Sequence, residues 1–198
     1  HEINNPLTTI SGQLQLRLLQ TENSNPDYHV YETLEEETQR IAETVKSLVA
    51  FAQPREPVKS AVDLNDILKD VICSFKDTGL GNGAQIVESL DKNMPAIMAD
   101  KEQIALACRN IIDNSRRATN GKTCLEIVTK MGTSNNINVF FCDPGRGIPS
   151  DVIDKVFDPF FVENDEERGM GLGLCVSHDI IKRHGGSLTA KNQKEKGT

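Results

Sequence analysis

The chain has 198 residues and a mass of 21.9 kDa, the size of one average domain or two small ones. It sets 22 Lys+Arg against 29 Asp+Glu, for a formal charge of −7 and a pI near 5.2. That balance excludes a nucleic-acid coat or an anionic membrane surface as the main partner. The longest apolar runs, such as Leu48–Ala52, fall far short of the roughly 20 residues that a membrane span needs. The expected location is therefore cytoplasmic, and any anchor of a parent protein in the inner membrane would come from regions outside this stretch.

The cysteines (Cys73, Cys108, Cys124, Cys142, Cys175) are widely spaced, odd in number and form no C-x-x-C pair. Each lies in or beside an apolar run, where free Cys acts as a small hydrophobe, so a reducing compartment fits better than a disulfide framework or a zinc site. The first residue is His rather than Met and the last are Gly197-Thr198, and both ends read as cuts in a longer protein.

In chain order, Ile3, Leu7, Ile10 and Leu14 recur at helical spacing and predict a helix over 3–19, kinked at Pro6. Residues 21–27 are turn chemistry, with Asn25 as cap and Pro26 as first helical residue of a second helix to about Gln53. Its stripe is Val30, Leu34, Ile41, Val45, Leu48 and Ala52, interrupted by Thr38. Two amphipathic helices joined by a short turn cannot cover their own stripe, so pairing of two copies into a four-helix bundle is expected.

Pro54-Arg-Glu-Pro57 is a linker. Beyond it the pattern predicts a helix capped by Asp63 to about Asp77, strands at Ala84–Leu90 and Ile97–Ala99, and a helix from Asp100 through Arg117. Paired strands follow at Cys124–Lys130 and Asn136–Cys142 around a Gly132–Asn135 turn, then a helix over Leu174–His184 and a strand at Ser187–Lys191. Helices and strands are interspersed without strict alternation. The fold class is α+β: an antiparallel helical hairpin over residues 1–54, then an α/β sandwich over 63–198 whose mixed sheet helices cover on one face.

Four elements of the second region carry chemistry. Asp143-Pro-Gly-Arg-Gly-Ile-Pro149 follows a strand, and its glycines let the backbone approach a ligand while the Asp offers an acceptor to an exocyclic amine. Taken alone, it could equally be a turn closing on itself. Gly169-Met-Gly-Leu-Gly173 opens a helix, where N–H groups and the positive helix end favour phosphate, though a mobile loop reads the same way. Asn110 and Asn114 stand four apart on one helix face, suited to offering amide oxygens to Mg²⁺, with Arg117 three residues on; a solvated polar face is the alternative. Phe157-Asp-Pro-Phe-Phe161 is an aromatic loop anchor.

In this order the four resemble the N, G1, F and G2 boxes of the ATP-binding domain shared by sensor histidine kinases, gyrase-type topoisomerases, Hsp90 and MutL. His1-Glu-Ile-Asn-Asn-Pro-Leu7 resembles the H box of the histidine kinases. The resemblance implies ATP-dependent autophosphorylation on His1, oriented by Glu2 acting as general base. Transfer to an aspartate of a response-regulator receiver domain follows, with Asn5 holding the water of a phosphatase step. It further implies Asn110, Asn114 and Arg117 at the phosphates, Asn114 at Mg²⁺, Asp143 with Gly145 and Gly147 at adenine, and Arg168, Gly169, Gly171 and Gly173 over the phosphates. His29, His178 and His184 match no role and are expected to be ordinary helix-surface or helix-end residues. Val162-Glu163-Asn164 stands where the family often has Thr-Thr-Lys, and four acids between Val162 and Arg168 are expected to turn outward. A serine-directed kinase of mitochondrial type, an ATP-operated clamp and a non-catalytic dimeric scaffold are the rival readings.

Overall fold

A computed structural model of the chain describes residues 2–77, 85–119, 124–133, 136–163, 170–193 and 198. The chain divides into two compact units, His1–Arg55 and Glu56–Thr198. Among the described residues no helix is long and apolar enough to cross a membrane.

The first unit is a pair of helices, α1 (Asn4–Gln20) and α2 (Pro26–Ala52). Asn25 caps α2 as its composition predicts, its Oδ1 accepting the Asp27 N–H at 2.9 Å, with Pro26 in the first turn. Pro6 falls in the first turn of α1, where its missing N–H has no intrahelical partner to lose, so nothing there demands the expected kink. The apolar stripe stays open: Val30, Leu34, Ile41 and Leu48 are 53%, 48%, 49% and 41% exposed. The buried residues among those described in this unit are Glu35 and Thr38. Thr38 turns its hydroxyl back onto Leu34 O at 2.7 Å. Glu35 Oε1 accepts from Ser11 Oγ (2.7 Å), Gln15 Nε2 (2.8 Å) and Gln39 Nε2 (3.0 Å), while its Oε2 is buried with no hydrogen-bond partner among the described residues. A polar clasp rather than an apolar core therefore joins the two helices.

The second unit has the mixed architecture that the interspersed elements predict. A short strand β1 (Ser60–Val62) leads into α3 (Leu64–Asp77), followed by β2 (Gln85–Leu90), β3 (Ile97–Ala99) and α4 (Lys101–Ala118). Strands β4 (Cys124–Met131) and β5 (Ile137–Cys142) precede a 3₁₀ turn at Ile153–Lys155 and helix α5 (Gly173–Arg183). The main sheet runs β2-β4-β5, with β2 parallel to β4 (Ile86 beside Leu125) and β4 antiparallel to β5 (Glu126 beside Cys142). Leu125, Ile127 and Thr129 alternate inward on β4 and are buried, together with Ile67, Leu68 and Ile72 of α3, Ile104 and Ile112 of α4, and Val176 and Ile180 of α5. On the opposite face Val87 and Phe140, in register with Glu126 and Val128, are 43% and 47% exposed. Helices thus cover one face of the sheet.

Two features differ from expectation. β1 pairs antiparallel with β3, but three residues are too few to show a strand's alternation in sequence. Ser187–Lys191 is not a strand. Asp143, at the end of β5, exchanges backbone hydrogen bonds with Thr198 (3.0 and 3.2 Å), and the chain after α5 is held instead by the Asn192 amide, which accepts from Ile148 N (2.8 Å) and donates to Ile148 O (2.6 Å). Of the predicted turn after β4, residues 134 and 135 lie outside the described residues; Gly132 N–H bonds Asn136 O at 2.7 Å.

A polar triangle joins α3 to the sheet. Asn65 donates from Nδ2 to Asp91 O (2.7 Å) and accepts on Oδ1 from Thr129 Oγ1 (3.1 Å), which in turn accepts the Asp91 N–H (2.9 Å). Asn65 and Thr129 are both buried. Asn65→Ala strands a carbonyl and a hydroxyl and is expected to lower stability by about 1–3 kcal/mol in urea unfolding, against less than about 0.5 kcal/mol for the exposed Ser74→Ala on the same helix.

Candidate active site

Helix α4 is the post on which the site hangs. Asp100 caps it, its Oδ1 accepting the N–H groups of Glu102 and Gln103 (3.1 Å each), and its Oδ2 accepts the Val58 N–H at 2.9 Å. The Asp100 N–H donates to His184 Nε2 (3.0 Å), and the other ring nitrogen lies 2.8 Å from Ile180 O. These partners require a neutral ring protonated on Nδ1. His184, expected to be an ordinary helix-end residue, therefore ties the end of α5 to the start of α4.

Further along, α4 and α5 approach closely through small residues. Ser177, fully buried, donates to Gly173 O (2.8 Å) and Ala107 O (3.3 Å). Asn110 donates from Nδ2 to the same Gly173 O at 3.2 Å, which leaves its amide oxygen available. Asn114, one turn on, is exposed and hydrogen-bonds none of the described residues through its side chain. Arg117 is ion-paired with Asp113 at 2.5 Å, and Arg116 holds the other oxygen of that carboxylate. Both asparagines thus sit where an amide oxygen can meet a ligand, and Arg117 reaches one only by leaving or sharing Asp113.

The loop after β5 abuts the C-terminal end of α4. Asp143, 8% exposed, turns its Oδ1 onto the Gly145 N–H (2.8 Å) and so shapes the loop itself. A Cβ on Gly145 would lie 2.6 Å from that oxygen and 3.1 Å from the Ala118 Cβ, so any other residue requires the Asp143 carboxylate and its neighbours to shift. Gly147 follows with φ of 76°. The aromatic loop is clamped to the second glycine cluster: Phe160, at φ 63°, donates its N–H to Gly171 O at 3.1 Å. Gly171 has φ +65°, and a Cβ there would strike the Phe161 carbonyl oxygen and lie 2.6 Å from the Phe160 carbonyl carbon. Behind the loop, Phe157 packs on His178 with ring centroids 5.2 Å apart, a contact for which the sequence carried no signal.

Glu163 is exposed, as expected, but it is also ion-paired: its Oε2 meets Arg146 of the glycine loop at 2.7 Å. His1, Arg168 and Gly169 lie outside the described residues, as do residues 164–167. Glu2 and Asn5 belong to the hairpin unit and are exposed.

Three of the cysteines are poorly suited to act as nucleophiles. Burial pushes the Cys108 thiol up to about 12, and Cys142 and Cys175 are also raised, chiefly by burial and then by neighbouring carboxylates. Among the described residues no three His, Cys, Asp or Glu side chains cluster to hold a metal. A cation here would rest on amide oxygen and on oxygens of a ligand, a donor set that suits Mg²⁺.

Residues 99–198 match the family model described as histidine kinase-, DNA gyrase B-, and HSP90-like ATPase, and residues 1–57 match the His kinase A (phospho-acceptor) domain. The chain belongs to this ATPase family and is the core of a sensor histidine kinase. Similar curated proteins include the sensory histidine kinase/phosphatase NtrB of Rhodobacter capsulatus (30% identical, covering 97% of this chain and 56% of that protein). Another is sporulation kinase A of Bacillus subtilis (32% identical, 100% and 32%). The sensor histidine kinase ZraS of Escherichia coli is 27% identical over 100% of this chain and 42% of its own length, so the chain spans about half or less of these relatives. The full-length ShkA structure in complex with AMPPNP shares the fold at a TM-score of 0.74 and 20% identity, covering all of this chain and 42% of that one. ThkA in complex with the response regulator protein TrrA does so at 0.67 and 22%, covering all of this chain and 56% of that one.

The two described glycines of the second cluster separate in a substitution test. Gly171→Ala meets backbone on the facing loop, whereas a Cβ on Gly173 would sit at an ordinary 3.6 Å from the Asn110 Cβ. We expect Gly171→Ala to lower nucleotide affinity by an order of magnitude or more and to cost more than about 1 kcal/mol in stability. Gly173→Ala should change either by little; titration and thermal melting of both variants provide the check.

Proposed function

We propose that the chain transfers the γ-phosphoryl group of ATP to His1 and passes it on to an aspartate of a response-regulator receiver domain. The observation that carries this reading is that both glycine loops pack along α4 and the second is clamped to the aromatic loop. Gly173 meets Asn110, Gly145 meets Ala118, and Gly171 meets the aromatic loop. Backbone N–H groups, amide oxygens and a buried carboxylate are what a purine nucleotide with its phosphates and Mg²⁺ requires. Asp143 accepts from the adenine amine through the oxygen not engaged with Gly145. Asn110 and Asn114 serve the phosphates, and Asn114 serves Mg²⁺, which neutralises phosphate charge when bound. Gly145 and Gly147 admit the base; Arg168, Gly169, Gly171 and Gly173 cover the phosphate chain.

A ring nitrogen of His1 attacks the γ-phosphorus, the bond to the β-bridging oxygen breaks with loss of ADP, and Glu2 takes the proton from the other ring nitrogen. In the second transfer the N–P bond breaks as a receiver carboxylate oxygen bonds phosphorus. Asn5 holds the water that later releases phosphate from the regulator. The phospho-acceptor match over residues 1–57 favours this reading over a serine-directed kinase or an ATP-operated clamp. The half-exposed stripe of α2 favours a second copy as its cover, forming a four-helix bundle.

Incubation with γ-labelled ATP should leave an acid-labile, alkali-stable label that is absent from His1→Gln and passes to a receiver domain. Label surviving in His1→Gln, or an acid-stable one, contradicts the assignment. Asn114→Ala should cut the labelling rate by about 10²-fold or more. Because Asn114 is exposed, its melting temperature should stay within about 1 °C of the parent's.

A further inference from the structure

We infer that Arg146 is a phosphate-binding residue of the nucleotide site and that Glu163 is its built-in competitor, a carboxylate that holds the guanidinium until a polyphosphate displaces it. The inference rests on the nucleotide-site reading above. Arg146 stands between Gly145 and Gly147, in the loop that packs on the end of α4. Its partner Glu163 comes from the far end of the aromatic loop, and the 2.7 Å contact joins the two segments across 17 residues of chain. The two side chains are 48% and 29% exposed.

That exposure decides between a tether and a competitor. A part-exposed ion pair contributes at most about 1 kcal/mol, which is a poor way to hold two loops together. The aromatic loop is already fixed by other means: the Phe160 N–H on Gly171 O, the Gly171 backbone against Phe160 and Phe161, and the Phe157 ring on His178. Charge is the quantity the pair controls. Arg116 and Arg117, the guanidinium groups that follow Asn114 on α4, are likewise engaged, both by Asp113. A guanidinium binds carboxylate and phosphate through the same planar fork, so a polyphosphate can take the place of Glu163 without moving the backbone. The freed Glu163 then returns to water. The energy of the pair is thus subtracted from nucleotide affinity, and a chain without Glu163 binds more tightly.

A double-mutant cycle on the full chain tests this, with MgATP and adenosine as separate ligands in titration calorimetry at low and high salt. Glu163→Gln should raise MgATP affinity about two- to fivefold at low salt, with the gain shrinking as salt rises. It should leave adenosine affinity unchanged, because adenosine has no phosphate to compete. Arg146→Gln should lower MgATP affinity, and in that background Glu163→Gln should give no further gain. Glu88→Gln, on β2 and paired with Lys76, changes the net charge equally and should have no effect. Weaker MgATP binding by Glu163→Gln, an equal gain with adenosine, or a gain that persists without Arg146 each overturns the competitor. Failure of the parent chain to bind either ligand overturns the nucleotide site itself, a result distinct from all of these.

Discussion

The close approach of α4 and α5 is the contact on which the rest of the second unit depends. Two helices carrying bulky residues keep their axes roughly 8–10 Å apart. Here Ala107, Ser177 and Gly173 remove side-chain volume at the crossing, and Gly173 O collects hydrogen bonds from both Ser177 and Asn110. The start of the second glycine cluster is thereby fixed relative to the asparagines of α4. The opposite end of the pair is fastened by Asp100 and His184, which also bring in the chain after the linker through the Val58 N–H. A rigid post with glycine loops at one end is what positions phosphate-binding groups without large side chains.

The hairpin is built on an opposite principle. Its two buried residues among those described are polar, and the carboxylate of Glu35 spends three hydrogen bonds on one oxygen and none on the other. Such a clasp specifies how α1 and α2 face each other but contributes little net stability, because a buried carboxylate loses hydration that its partners only partly replace. The apolar area that could stabilise the unit remains on the surface. Stability of the hairpin therefore depends on whatever covers that stripe.

Legibility in the sequence followed the range of the interactions. Helix limits set by local chemistry, such as Asn25-Pro26 before α2 and Asp100 before α4, were readable because cap and helix are adjacent. Asn110 and Asn114 were readable because helical spacing alone places them on one face. The strand expected at Ser187–Lys191 failed because strand formation depends on a partner that local sequence does not specify, and beyond it the chain is tied to Ile148 by the Asn192 side chain. The Arg146–Glu163 and Asp100–His184 contacts were illegible for a related reason: 17 and 84 residues separate their members, and no local pattern encodes such a pairing. The glycines of both clusters announced tight backbone geometry, but only the fold distinguishes Gly171, which is pressed against another loop, from Gly173, which has room.

The most direct test of the account is hydrogen–deuterium exchange of the full chain with and without Mg²⁺ and a non-hydrolysable ATP analogue. A nucleotide held between the glycine loops and α4 predicts protection at residues 143–147, 170–173 and the C-terminal half of α4. It predicts no change on the β2 edge of the sheet. Protection confined to the hairpin, or spread over the whole second unit with none concentrated at these three segments, would contradict the placement of the site.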